Sequence, residues 1–308
     1  MSSKQKDFPI AAIQGNAEHW NDMTACSDEF TGLVEFAPGF APRPQISHVL
    51  FDFDGTLSLI RQGWQDVMAP MFLEMLPPLP GETEKSRRQL CYDDIMRLNG
   101  KQTIYQMIQL TERIKARGGM AREPLWYKHE YLRRLDQRIG HRLEGLRSGA
   151  VSPDGLLVYG ARPLLEILRR RGLRLYLASG TDEVFVKQEV QLLNLTYFFG
   201  AHIYGALDDY KQFSKQLAIQ RILCENRIEG EQLLSFGDGY VEIQNTKEAG
   251  GLAVAVASDE AHNGSGRFDE WKRRRLLEVG ADIVIPDFRD AVALLNCILV
   301  TRLSSSRG

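Results

Sequence analysis

The stretch Ser47–Leu57, SHVLFDFDGTL, decides the fold. His48-Val49-Leu50-Phe51 is a short, largely apolar run that predicts a buried strand. It ends in two carboxylates one residue apart, Asp52 and Asp54, followed by Gly55 and Thr56. Two acids at the tip of an apolar strand are costly unless something compensates them, and a divalent cation together with a phosphate would do so. Gly55 lets the backbone turn sharply where the strand stops. The same Asp-x-Asp-Gly order occurs in calcium loops of the EF-hand type. That pattern needs further acids and a Glu at its last position, and here Leu57, Leu59 and Ile60 follow instead.

Working outward, the period changes after Leu57. Trp64, Val67, Met68, Met71, Phe72 and Met75 recur at helical spacing, and Pro77–Gly81 (PPLPG) stops the run. Further helical patterns cover Glu82–Leu98, Thr103–Arg117 and Pro124–Leu146, with a break at Asn99-Gly100. Residues 60–150 therefore read as all-helical. From Val151 strands and helices alternate. The expected strands are Leu173–Ala178, His202–Tyr204, Leu233–Phe236, Ala253–Ala257 and Asp282–Ile285. The expected helices are Leu164–Arg171, Glu183–Leu193, Lys215–Asn226, Val241–Ala249, Trp271–Glu278 and Phe288–Leu299. Alternation of this kind predicts an α/β class protein, a mostly parallel sheet with helices on both faces. Ligands in such sheets bind outside the carboxyl ends of the strands. Asp52, Asp54, Ser179 and Asp238 all fall at such ends.

The residue types point to phosphoryl chemistry. Asp52 is read as a nucleophile, since a carboxylate can attack phosphorus and divide one hard step into two. Asp54 is placed to protonate the leaving oxygen and then to activate water. Both attacking group and phosphate are anionic, which calls for a cation, and Mg²⁺ suits oxygen ligands. Asp238 within GDGYVE is the expected remote ligand, with Glu242 one helical turn on as a direct ligand or the holder of a metal-bound water. Ser179 offers a hydroxyl, and Gly180 and Thr181 offer N–H groups at an expected helix start. Lys211 and Lys215 compete to neutralise the phosphoryl group. Lys215 is preferred because it opens the helix leading to the Asp238 strand. Each residue alone has an ordinary reading: Ser179 a helix cap, Lys215 a surface lysine, Asp238 a turn residue, Glu242 a solvated acid. It is their order along one chain that argues otherwise.

With Asp52-Phe53-Asp54-Gly55-Thr56, Ala178-Ser179-Gly180, Lys215 and Gly237-Asp238-Gly239 with Glu242 in this order, the chain resembles the haloacid dehalogenase superfamily of phosphotransferases. The stretch Gly160–Thr181, GARPLLEILRRRGLRLYLASGT, is similar to members with an inserted helical cap, such as phosphoglycolate phosphatase and β-phosphoglucomutase. The resemblance implies a Rossmann-like parallel sheet core, residues 46–59 and 151–308, with a helical cap over 60–150 and an N-terminal extension over 1–45. It implies Asp52 as nucleophile, Asp54 as general acid/base, and Ser179, Gly180, Thr56 and Lys215 as the phosphate-binding set. Asp52, Asp54 through its backbone carbonyl, and Asp238 would hold Mg²⁺. Superfamily enzymes that attack carbon lack the second Asp of the first motif, so Asp54 favours phosphatase chemistry, with a phosphomutase as the alternative. Lys101 in the break between two cap helices, and Arg61 just past the first motif, are expected to meet the non-reacting end of a small phosphorylated metabolite.

Composition excludes other classes. The chain has 308 residues, 44% hydrophobic and 25% charged, with a formal net charge of −2. No global field favours nucleic acid or an anionic membrane. The basic runs Arg169–Arg171 and Lys272–Arg275 read as solvated helix faces. Cys26, Cys91, Cys224 and Cys297 have no zinc-type spacing. No run approaches a signal peptide or a membrane span, so a cytoplasmic location is the default. The loop Ser258–Asp269 is longer than a core connection of this kind needs.

Overall fold

The structure, a computed structural model, describes residues 30–207 and 209–299. Its centre is a sheet of seven strands: β1 (Glu35–Phe36), β2 (His48–Phe51), β3 (Arg174–Asp182), β4 (Ile203–Ala206), β5 (Leu233–Gly237), β6 (Leu252–Val256) and β7 (Ile283–Ile285). Their order across the sheet is β1-β7-β6-β5-β2-β3-β4. All neighbouring pairs are parallel except β1 with β7. The class is α/β with a Rossmann-like core. All residues of β2, β5 and β6 are buried, as strands covered on both faces must be.

Register places the chemistry. Phe51 lies opposite Leu177 of β3 and Phe236 of β5. The ends of β2 and β5 therefore lie nearly level, while β3 runs on past them. Strand order reverses at β2, which is where an open parallel sheet leaves a crevice. Beneath the crevice Phe51 stacks on Phe236 with ring centres 5.0 Å apart, and Phe288 meets Phe236 edge-on at 5.7 Å.

Between β2 and residue 150 run four helices: α1 (Gln65–Met75), α2 (Glu84–Arg97), α3 (Thr103–Ala116) and α4 (Pro124–Ser148). Their bounds follow local chemistry. Thr83 caps α2 by accepting from the Ser86 N–H. Pro124 opens α4, and Gly149 closes it with a left-handed φ of 76°. The Arg142 guanidinium donates to the carbonyls of Ile60 and Gln62 at 2.8 Å, pinning the chain where it leaves the first motif. The helices that follow are α5 (Ala161–Arg170), α6 (Glu183–Leu192), α7 (Thr196–Phe199), α8 (Lys215–Asn226), α9 (Tyr240–Glu248), α10 (Glu270–Glu278) and α11 (Ala291–Leu299).

Three features depart from the sequence reading. β3 runs on to Asp182, because after an irregularity it pairs again with β4 at Ala206. Ser179, Gly180 and Thr181 thus belong to a strand, and the helix begins only at Glu183. Part of the expected N-terminal extension joins the sheet. Glu35 and Phe36 pair antiparallel with Val284 and Ile283, and the Thr31 and Gly32 N–H groups donate to Asp290. Residues 1–29 of that extension lie outside the described residues. Lys272, read as part of a solvated face, is buried. Among the described residues no helix is long and apolar enough to cross a membrane.

The aromatic stack under the crevice is fully enclosed, with Phe51, Phe236 and Phe288 all buried. Phe236→Ala should lower the unfolding free energy by ~3–5 kcal/mol, read from urea denaturation, through lost transfer energy and a cavity under the strand tips.

Candidate active site

Asp52 follows β2 directly, and its N–H donates to Phe236 O at 2.9 Å, so the strand pairing itself aims the residue. The side chain is buried. Lys215, the first residue of α8, reaches it with Nζ 2.8 Å from Oδ1, and the same Nζ lies 2.8 Å from Glu242 Oε2. Burial, with Glu242 and Asp238 adding, pushes the Asp52 carboxyl well above the usual carboxylate range, and Lys215 opposes them. Burial would also raise Glu242, but the charge and hydrogen bond of Lys215 hold it below its ordinary value. Burial works against the Lys215 ammonium too, yet Asp52 and Glu242 keep it more firmly protonated than a free lysine.

Asp54 sits on the turn after Asp52. Its Oδ2 accepts from the Thr181 hydroxyl at 2.8 Å and the Ser179 hydroxyl at 3.2 Å. The Thr181 N–H in turn donates to Ser179 Oγ at 3.0 Å. Asp54 Oδ1 makes no hydrogen bond among the described residues, and its nearest cation is Arg61 Nε at 3.8 Å. Oδ2 is therefore fixed by the two hydroxyls, while Oδ1 is enclosed beside Arg61 without a hydrogen bond. Gly55 adopts φ +75°, and a Cβ there would stand 2.3 Å from Asp238 Oδ2, so only glycine lets the turn pass so close to that carboxylate.

Asp52, Asp238 and Glu242 each present a carboxylate oxygen, and these lie within 4.8 Å of one another. Hard oxygen donors of this kind suit Mg²⁺. Both Glu242 oxygens are already engaged: Oε1 accepts from the Gly239 N–H at 2.5 Å and Oε2 from Lys215. Asp52 and Asp238 are the freer donors. Burial pushes the Asp238 carboxyl up to about 6, with Lys272 opposing and Glu260 and Glu242 adding to the rise.

The cleft above these residues has a volume of about 80 Å³. Asp52, Asp54, Ser179, Gly180, Lys215 and Asp238 line it from the sheet side, and Trp64, Asn99, Lys101, Gln106 and Tyr131 line it from the helices. The fit is close. A Cβ on Gly180 would lie 2.8 Å from the Lys101 carbonyl oxygen, and one on Gly239 would lie 3.0 Å from Gly100 Cα. The Gln102 amide donates to Phe213 O at 2.6 Å and Tyr210 O at 3.0 Å, tying the α2–α3 loop to the core.

Of the residues singled out from sequence, Asp52, Asp54, Ser179, Gly180, Lys215, Asp238, Lys101 and Arg61 line the cleft. Glu242 lies just beneath through Lys215. Thr56 is fully buried and is not among the lining residues. Lys211 is exposed and also outside the lining, so the choice between the two lysines falls on Lys215. Lys101 is exposed, with its Nζ 5.7 Å from the Tyr105 ring centre. Arg61 is buried and held by Glu189, with Nη2 2.7 Å from Oε1, and the guanidinium stands over Phe185. Sequence reasoning missed the Thr181 hydroxyl, Tyr131, Glu260 and Lys272. For Lys272 one local signal existed, since it shares the buried face of α10 with Leu276 one turn on.

A family model described as haloacid dehalogenase-like hydrolase matches residues 46–250, and the chain belongs to that family. Among solved structures it is similar to a predicted phosphoglycolate phosphatase from Haemophilus somnus, with a TM-score of 0.53 and 15% identity over 81% of this chain and 98% of that one. It is similar to a haloacid dehalogenase-like protein from Agrobacterium tumefaciens, with a TM-score of 0.53 and 16% identity over 81% and 97% of the two chains. A predicted phosphatase from Clostridium acetobutylicum gives a TM-score of 0.51 and 16% identity over 81% and 97%. At these identities the likeness is one of fold. No curated protein sequence matches the chain.

Replacing Lys215 by Met would leave Asp52 and Glu242 buried without a counter-charge. Lys215→Met should cost ~3–5 kcal/mol of stability near neutral pH. Glu242 is held below its ordinary value, so its contribution is present above the carboxylate range and fades as pH falls through its folded value. The deficit of the variant should therefore shrink on going from about pH 7 to about pH 3, below the ordinary carboxylate range, measured by urea unfolding at both.

Proposed function

We propose that this hydrolase is a Mg²⁺-dependent phosphatase acting on a small organic phosphate monoester, a sugar phosphate being one such class, through an aspartyl-phosphate on Asp52. The observation that carries the reading is the pairing of Asp52 with Lys215 at 2.8 Å in a cleft that Asp54 also lines. Asp52 attacks phosphorus, and the bond to the ester oxygen breaks. Asp54 gives its proton to the departing alkoxide. The now ionised Asp54 takes a proton from water, which attacks the acyl phosphate, releasing inorganic phosphate and restoring Asp52. Lys215 faces the nucleophile and stabilises the charge that gathers on the phosphoryl oxygens. Ser179 and Thr181 fix the rotamer of Asp54 through its Oδ2, beside the cleft that Asp54 lines.

Asp52, Asp238 and the backbone carbonyl of Asp54 would hold the cation, which when bound supplies positive charge against the repulsion between nucleophile and phosphate. A cleft of about 80 Å³ is far below the ~300–1,000 Å³ of sites for larger ligands, which supports a small substrate. Residues 60–150 act as the cap over the site, and Lys101 offers a positive charge to the non-reacting end of the substrate. Arg61, locked on Glu189, works instead through Asp54.

Release of inorganic phosphate from a panel of sugar, nucleotide and glycolytic phosphates tests the reading. Activity should appear with Mg²⁺, vanish with EDTA and return on adding Mg²⁺. Asp52→Asn keeps the shape and removes the nucleophile, so turnover should fall at least ~1,000-fold with the fold intact by circular dichroism. Substantial residual turnover would assign the nucleophile elsewhere. Incubation with a hexose 1-phosphate should yield free phosphate, and an isomeric sugar phosphate would indicate a mutase. Lys101→Ala should raise KM with kcat little changed, as loss of a uniform binding contact does.

A further inference from the structure

The loop after β6, longer than a core connection needs, wraps the first motif. The Ser258 hydroxyl donates to Gly55 O at 2.7 Å, the Gln62 amide to Glu260 O at 2.5 Å, and the Asn263 amide to Leu157 O at 2.9 Å. A bridge between Ser258 and Phe268 closes the base of the loop, and Asp269 then caps α10 through the N–H groups of Trp271 and Lys272. The loop and the start of α10 thereby bring two charged side chains to the acidic cleft. Glu260 lines it, and Lys272 is 5% exposed behind it. The Lys272 ammonium has three donors and three acceptors: Asp238 Oδ2 at 2.9 Å, Glu260 Oε1 at 2.6 Å and Ser258 Oγ at 3.2 Å.

A buried ammonium costs several kcal/mol unless its partners are well placed, and this one is fully satisfied. Asp52, Asp238, Glu242 and Glu260 set four carboxylates around two ammonium groups, those of Lys215 and Lys272. A divalent cation would balance the remainder. Lys215 serves the nucleophile. Lys272 touches neither Asp52 nor the space above it, and acts on Asp238 alone among the expected cation ligands.

We propose that Lys272, held by Glu260 and Ser258, is a positioning residue that fixes Asp238 and lowers the affinity of the acidic pocket for its divalent cation. Glu260 moderates that effect by drawing the ammonium off Asp238. The inference rests on reading the pocket as a cation site. Removing Lys272 removes a positive charge beside a ligand and strengthens binding. Removing the Glu260 charge leaves Asp238 as the one carboxylate facing Lys272 and weakens binding. Changes to groups that orient metal ligands alter affinity by about 10–100-fold.

Mn²⁺ binding to the full chain, without substrate, is measured by electron paramagnetic resonance at one pH and ionic strength. Lys272→Met should bind at least ~10-fold more tightly than the native chain and Glu260→Gln at least ~10-fold more weakly, with the double variant between them. A merely structural role for the pair would weaken binding in both single variants. Equal or weaker binding by Lys272→Met, or equal or tighter binding by Glu260→Gln, overturns the proposal. If Lys272→Met fails to fold, Glu260→Gln decides alone. Failure of the native chain to bind millimolar Mn²⁺ would overturn the reading of the pocket as a cation site and this inference with it. Native binding with unshifted variants would overturn this inference alone.

Discussion

A carboxylate buried at the end of a parallel strand is the constraint around which this molecule is arranged. Asp52 is delivered by the hydrogen bond of its own N–H to β5, so strand pairing leaves its side chain little choice of direction. Ionised and unaccompanied there, it would cost several kcal/mol. Lys215 meets it, but a buried lysine needs its own partners, and Glu242 is the second. Glu242 is anchored in turn by the Gly239 N–H at the start of α9. Helices α8 and α9 and strands β2 and β5 are thus joined by one chain of charges.

The same logic repeats on the other side of the cleft. Asp238 is met by Lys272, and Lys272 by Glu260 and Ser258 from the loop after β6. The two networks differ in the carboxylate they hold, Asp52 in one and Asp238 in the other. Glycine at position 55 allows this second network to approach the first motif, since any Cβ there would run into the Asp238 carboxylate. Above them the α2–α3 loop rests on Gly180 and Gly239, again with no room for a side chain between the layers. Close backbone approach on both sides is what narrows the cleft to the scale of a phosphoryl group.

Much of this was legible in the chain as written. Helices α1–α4, to within a few residues, follow from hydrophobic periodicity and from the breaks at Pro77–Gly81 and Asn99-Gly100. Helix α8 was read as Lys215–Asn226, as it stands in the structure. Boundaries failed where tertiary pairing overrides local pattern. Ser179-Gly180-Thr181 looks like a helix start, but renewed pairing with β4 keeps it extended. Glu35-Phe36 carries too little pattern to announce a strand, and it becomes one only because β7 offers an open edge.

The order of short motifs by itself determined the class of fold and pointed to the acids that line the cleft, because each marks a strand tip or a helix start that local chemistry defines. Only the tertiary structure decided between Lys211 and Lys215, locked Arg61 onto Glu189, turned the Ser179 and Thr181 hydroxyls onto Asp54, and set Lys272 against Asp238. Periodicity reports which face of an element is buried. It carries no information about which distant charged group will face that surface, and in a buried site that facing group determines what each charge can do.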